Sequence, residues 1–209
     1  MTSSTKSANK NLIASLVENG VLRTPLIRDA FETIDRKAFV PEKYAAEAYI
    51  DHPLPIGGGQ TISQPYTVAF MFELLEPKAE QKILDVGSGS GWTTALLTYI
   101  VGSSGRVIGV ELVPELVSLG RGNVAKFDLP QAEIRQAKEN VLGAPADAPF
   151  DRILVSAAAE NAPQELIDQL SSSGVLVMPV KNTIIRITKL PSGKTRTESF
   201  EGFAFVPLR

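Results

Sequence analysis

Cysteine is missing from this 209-residue chain, and its absence excludes disulfides, thiolate metal sites and cysteine nucleophiles. A single histidine, His52, cannot build a zinc cluster alone, so no metal is expected. No apolar run reaches the roughly 18 to 20 residues of a membrane span, and the polar N-terminus lacks the apolar core of a secretory signal. The expectation is a cytoplasmic protein without a membrane partner, taken as a monomer. Basic blocks are lacking too: Lys and Arg number 21 against 23 Asp and Glu, for a net charge of −2, which supplies few phosphate contacts and argues against nucleic acid.

What is present is an ordinary globular composition, 44% hydrophobic and 21% charged, long enough to bury a full core. No repeat, low-complexity tract or interdomain linker divides it. The expected organisation is one domain over 1–209: a helical and loop extension at 1–65, a cofactor-binding core at 66–180 and C-terminal strands at 181–209.

The core is arranged around Asp85-Val86-Gly87-Ser88-Gly89-Ser90-Gly91. An apolar run, Lys82-Ile83-Leu84, enters it and a helical run, Trp92 to Ile100, leaves it. Glycines at alternate positions open φ values closed to other residues and bring backbone N–H groups and a helix N-terminus close to a ligand.

Upstream, Met1 to Asn11 reads as a frayed polar end. Leu12, Ile13, Leu16 and Val17 then give a helix stopped at Asn19-Gly20, and Thr24-Pro25 caps a second helix whose apolar face is Leu26, Ile27, Ala30, Phe31 and Ile34. From Phe39 to Pro65 periodicity vanishes among prolines and the Gly57-Gly58-Gly59 run, and irregular connections of this length are usually functional. Tyr66 to Leu75 carries a buried helical stripe.

Downstream, Arg106 to Glu111 reads as a strand, Pro114 to Phe127 as a helix, Ala132 to Gln136 as a weak strand and Arg152 to Ser156 as a clear one. Pro163 to Leu170 reads as a helix, Ser171 to Gly174 as a turn and Val175 to Val180 as a strand. This alternation predicts an α/β fold, Rossmann-like and doubly wound, with a mostly parallel sheet covered on both faces. Thr183 to Leu190 and Arg196 to Val206, joined at Pro191-Ser192-Gly193-Lys194, add antiparallel edge strands.

A dinucleotide fingerprint would place its third glycine where Trp92 stands, which weakens a nicotinamide reading. An acid followed by Gly-x-Gly-x-Gly matches class I S-adenosylmethionine-dependent methyltransferases instead. Glu111, 20 residues beyond Gly91, ends the next strand, where such folds present a carboxylate to ribose hydroxyls.

Over nearly its whole length the chain resembles the protein-L-isoaspartate (D-aspartate) O-methyltransferases. The resemblance runs through Phe39-Val40-Pro41, Asp51 with Pro53 to Gly57, Gly59 to Pro65, Leu84 to Gly91, Val107 to Glu111, Ala148 to Asp151, Ala157-Ala158-Ala159, Pro163 to Leu170, Pro179-Val180 and Phe205 to Leu208. Its specific part is Gln60-Thr61-Ile62-Ser63-Gln64-Pro65, which generic methyltransferases lack.

The resemblance implies methyl transfer from S-adenosylmethionine to the α-carboxylate of L-isoaspartyl residues in damaged proteins or peptides. S-adenosylhomocysteine leaves, and repair begins through a succinimide. A carboxylate with pKa near 4 is already ionised at pH 7, so orientation can supply most of the catalysis without a strong base. Ser63 falls at the family's active-site serine and is expected to orient rather than attack; the alternative is a hydroxyl capping the helix that starts near Pro65. The implied cofactor residues are Thr61, Ile62, Ser63, Asp85, Gly87, Ser88, Gly89, Gly91, Glu111, Leu112, Glu139 and Asn140; Ser63, Asn182 and Val206 are those implied for substrate. Asp85 is expected to act through the loop and the cofactor's methionine end.

Two segments depart from the family. Lys138-Glu139-Asn140 stands where Gly-Asp-Gly is usual, which predicts retained but altered cofactor binding, and Lys181 leads straight to Asn182 where a glycine-rich segment is common. Trp92 fits either a cofactor contact or core packing. Two alternatives follow: a relative that methylates another carboxylate, and a non-catalytic cofactor-binding descendant.

Overall fold

Strand Lys82–Val86 (β3) is buried from Ile83 onward, as a central parallel strand with both faces covered must be. In the computed structural model, which describes residues 3–208, β3 pairs in parallel with Arg106–Glu111 (β4) on one side and Phe150–Val155 (β6) on the other. Ala132–Gln136 (β5) extends the sheet beyond β4. Leu170–Val180 (β7) continues it beyond β6, and Thr183–Lys189 (β8) and Thr195–Glu201 (β9) close it as antiparallel edge strands. The seven-stranded order is β5-β4-β3-β6-β7-β8-β9. Because the chain winds outward in opposite directions from β3, the carboxyl ends of β3 and β6 form a switch point where ligands bind.

Alternation along each strand divides the core. Ile83, Val107, Leu154 and Val177 face one cluster, while Leu84, Ile108, Ile153 and Leu176 face the other. The first face is deeply clad by helices Ser3–Glu18 (α1), Pro25–Thr33 (α2), Pro65–Leu75 (α3), Trp92–Val101 (α4) and Pro114–Val124 (α5), which share its apolar cluster. The second carries only a five-residue helix, Gln164–Asp168 (α6), a single 3₁₀ turn at Pro145–Asp147 and the chain around Ala137 to Ala148. Gly143, Pro145 and Pro149 interrupt that crossover, so it cannot form a longer helix.

Several elements differ from expectation. The N-terminal helix already begins at Ser3, because no glycine or proline interrupts the chain from there to the buried Leu12, Ile13 and Leu16; only Met1 and Thr2 of the expected frayed stretch lie outside the described residues. Val17 and Leu26 are exposed rather than packed. Thr24 makes no side-chain cap: its N–H and hydroxyl, with the Arg23 N–H, bind the carboxylate of Glu73 on α3.

A 3₁₀ turn at Arg36–Phe39 leads into the irregular stretch, which holds a second at Glu42–Glu47, then a hairpin of Leu54–Gly57 (β1) and Gln60–Ile62 (β2). Gly57, Gly58 and Gly59 turn it with φ of +102°, +59° and +72°, values that favour glycine at all three positions. The expected turn at Ser171 to Gly174 is a bulge inside one continuous strand, since β6 advances from Phe150 to Arg152 while β7 advances from Leu170 to Val175. The last strand stops at Glu201, and the segment beyond it returns as a single bridge from Pro207 to Ala158.

Candidate functional site

At the switch point lies a cavity of about 580 Å³, within the range of small-molecule sites. Its floor is the loop from Gly87 to Ser90, with Ser156 and Ala157 after β6; its sides are Glu111 at the end of β4 with Leu112 and Val113, Ala137 to Gly143 after β5, and the C-terminal Val206 to Leu208. The hairpin β1–β2 forms the remaining wall through Ile56, Gln60, Thr61 and Ile62, followed by Ser63.

The glycine loop is held from beneath. The Gly87 and Ser88 amides donate to the Val110 carbonyl at 2.9 and 3.2 Å, and the Gly91 amide donates to Ser88 at 2.8 Å. The Gly89 amide donates to Glu111 Oε2 at 2.9 Å, and the other Glu111 oxygen accepts from the Val113 amide at 2.9 Å. Most loop amides are thus occupied inside the protein, so the loop offers a ligand close approach and the otherwise unpartnered Ser88 hydroxyl rather than a row of free N–H donors. Gly87, with φ +78°, has only Ser156 Cβ within 4 Å of a built Cβ, at 3.9 Å, and so leaves room above the floor.

Glu111 is 6% exposed and bridges the loop to the start of α5. Each oxygen accepts one backbone bond and keeps a lone pair, which suits two neighbouring hydroxyls. Asp85 is 0% exposed and sits below the loop. Its Oδ2 accepts from the Thr93 and Thr94 hydroxyls at 2.7 Å each, and Oδ1 has no partner. Burial pushes its carboxyl up to about 6; the two threonine bonds oppose the shift and the charge of Glu111 adds to it.

The structure brings together Thr61, Ile62, Ser63, Gly87, Ser88, Gly89, Glu111, Leu112, Glu139, Asn140 and Val206 around one cavity. Asp85 and Gly91 are not among its lining residues. Gly91 instead allows helix contact: a Cβ there would lie 3.0 Å from the Gly120 carbonyl and from Val124 Cγ2. Asn182 also lies away from the cavity, and its carbonyl accepts from the Gly202 and Phe203 amides at 3.2 Å. Lys138, Glu139 and Asn140 are exposed on the rim, with Asn140 at φ +60°.

The α3 N-terminus is capped from a distance, with Asp51 accepting from the Tyr66 amide at 2.8 Å and from Gln64 Nε2 at 3.1 Å. Ser63 is therefore spared capping duty. Trp92 meets both descriptions open to it: it lines the cavity, yet it is 3% exposed and packs edge-on against Phe31 at 5.4 Å. Ser156 and Val141 line the cavity although no local spacing marks them, because the signal placing them there is sheet order; Ile56 and Ala157 stand in the family resemblance but were not expected as site residues.

A Rossmann-like sheet with a ligand cavity at its switch point, a glycine floor and a carboxylate at the end of the second core strand defines a methyltransferase-type fold. The family model for protein-L-isoaspartate(D-aspartate) O-methyltransferase matches residues 6–209, and the chain belongs to that family. It is 39% identical over 207 residues to a protein-L-isoaspartate O-methyltransferase of Methanopyrus kandleri, covering 97% of this chain and 92% of that protein. Its identity to the Anaeromyxobacter dehalogenans protein of the same name is 42% over 193 residues, 90% of each chain. The solved structure of a Plasmodium falciparum protein-L-isoaspartate O-methyltransferase in complex with S-adenosyl-L-homocysteine aligns with a TM-score of 0.81 at 25% identity, over 96% of this chain and 98% of that one. Another solved protein-L-isoaspartate O-methyltransferase shares the fold with a TM-score of 0.86 at 22% identity, over 96% of this chain and 66% of its own length.

Proposed function

We propose that the chain transfers a methyl group from S-adenosylmethionine to the α-carboxylate of L-isoaspartyl or D-aspartyl residues in damaged proteins. Membership of the family supports the reaction, and one structural observation supports its location: the Thr61-Ile62-Ser63 segment and the glycine floor with Glu111 open onto the same cavity. The cavity suits the cofactor, since it has room above Gly87, an unpartnered buried Ser88 hydroxyl and a fixed carboxylate with free lone pairs. When bound, S-adenosylmethionine supplies an electrophilic methyl group on a sulfonium.

The chain's own residues have positioning tasks. Glu111 receives the ribose hydroxyls, Leu112, Glu139 and Asn140 wall the adenine end, and Gly87, Ser88 and Gly89 receive the methionine end. Asp85, buried below, acts on that end through the loop and through Thr93 and Thr94 rather than by contact. Thr61, Ile62 and Ser63 close the site from the hairpin side, with Ser63 and Val206 nearest the incoming carboxylate. Because that carboxylate is ionised at neutral pH, no base need remove a proton, and holding it in line supplies the rate enhancement. The near-neutral charge of −2 supports a protein substrate rather than a nucleic acid.

Incubation with methyl-labelled cofactor and paired peptides tests the reading. Label should enter the isoaspartyl peptide and should fall on Ser63→Ala. Incorporation no greater than into the matching aspartyl peptide would overturn the assignment. Label entering proteins of a cell extract but not isoaspartyl peptides would move it to another carboxylate.

A further inference from the structure

Arg36 is 1% exposed, and among the described residues no carboxylate lies within salt-bridge distance of it. A guanidinium without a partner anion is costly to bury, and only dense hydrogen bonding offsets that cost. Here every acceptor is a backbone carbonyl, all of them on the two terminal nitrogens; Nε has no partner, and the charge of Asp51 favours the cation from beyond ion-pair distance. Nη1 donates to Ala48 at 2.8 Å and, more weakly, to Ile50 at 3.5 Å; Nη2 donates to His52 at 2.9 Å and to Ser63 at 3.1 Å. The guanidinium carbon lies 5.4 Å from the centre of the Trp92 ring, which itself lines the cavity.

These acceptors are placed with a pattern. His52 precedes β1 and Ser63 follows β2, so one nitrogen ties the two feet of the hairpin that walls the cavity. The neighbouring residues secure the same junction: Asp35 accepts from the Tyr49 hydroxyl at 2.9 Å, and Asp51 holds Gln64 and the α3 N-terminus. Core filling alone would be served by an apolar side chain, whereas a planar fork that joins remote carbonyls fixes geometry.

We propose that Arg36 is a positioning residue for methyl transfer, clasping both ends of the β1–β2 hairpin so that Ser63 and the wall it continues stay in register with the glycine floor. This rests on the function proposed above for the same cavity. Arg36→Lys keeps the charge but cannot span the His52 and Ser63 carbonyls with a fixed fork.

The test combines turnover, cofactor affinity and hydrogen exchange on the full chain. For Arg36→Lys, kcat on an isoaspartyl peptide should fall about 30- to 100-fold, while adenosylhomocysteine affinity changes by only about threefold. Amide exchange over residues 54–64 should accelerate about tenfold or more, with β3 and α4 unchanged. In a Ser63→Ala background the same substitution should cost no more than about a further threefold, since both changes disable one unit.

Unchanged exchange in the hairpin, unchanged turnover per folded molecule, or fully multiplicative effects with Ser63→Ala would each overturn the proposal. If the wild-type protein methylates no isoaspartyl peptide, the function assignment fails, and the exchange comparison still decides the clasp. If Arg36→Lys does not fold, guanidinium NMR of the wild-type protein decides: hindered Nη rotation supports the clasp and free rotation refutes it.

Discussion

Replacing Asp85 by Asn should make stability less dependent on pH, and the structure sets the size of the effect. The carboxyl is fully buried and its pKa is raised from the ordinary 3.8 to about 6, chiefly by burial. The folded protein therefore binds this proton more tightly than the unfolded chain does. Stability from this group is complete below the unfolded pKa and is lost as pH rises through the folded one, between about pH 4 and 6. A shift of about two units corresponds to about 3 kcal/mol. Asparagine can still accept from Thr93 and Thr94 but places an unpaired amide where Oδ1 lies, a penalty that does not vary with pH. The difference in unfolding free energy between variant and wild type, measured by urea titration, should thus move in favour of the variant by about 2.4 kcal/mol from pH 4 to pH 7. A difference that changes by less than about 1 kcal/mol, or in the opposite direction, would show that the site is wetter or better compensated than its geometry implies.

Gly91→Ala should destabilise by about 2–5 kcal/mol, because a side chain at φ +88° is strained and its Cβ would lie 3.0 Å from the Gly120 carbonyl. Gly122→Ala in α5, where a Cβ meets nothing within 4 Å, should be neutral or mildly stabilising; equal losses at both positions in thermal melts would refute the packing argument. The chain's single tryptophan, Trp92, is buried beside the cavity. Its emission should be blue-shifted and should change on titration with adenosylhomocysteine, and a flat signal where calorimetry registers binding would remove Trp92 from the contact surface.

The sheet and the glycine floor were legible because their signals are local. Ile83-Leu84 and Val107 to Val110 are apolar stretches buried on both faces, and Gly87, Gly89 and Gly91 punctuate the strand-to-helix turn. Glu111 was found through a distance along the chain that parallel topology keeps constant. The hairpin β1–β2 was hidden, since Pro53, Pro55 and three consecutive glycines erase alternation in strands only a few residues long. Arg36 was invisible as a working residue, and Asp51 stood only as part of the family match: a charged side chain in a polar stretch gives no sign that it reaches carbonyls or a helix end many positions away. Asp85 and Gly91 belong to the recognised motif, yet one is buried below the floor and the other admits a neighbouring helix, roles that spacing alone does not separate from contact with a ligand.

The uneven cladding of the sheet divides the molecule mechanically. Five helices lock one face, while the other is closed by α6 and the chain from Ala137 to Ala148, which also supplies one wall of the cavity. That wall is thin but not idle: Ala137, Leu142, Ala144, Ala148 and Leu166 cover a cluster that includes Leu84, Ile108, Phe150, Ile153 and Leu176. Its outer segment, Lys138 to Asn140, is exposed on the cavity rim, so sequence change there can retune one wall of the site while the frame that sets the floor is left as it is.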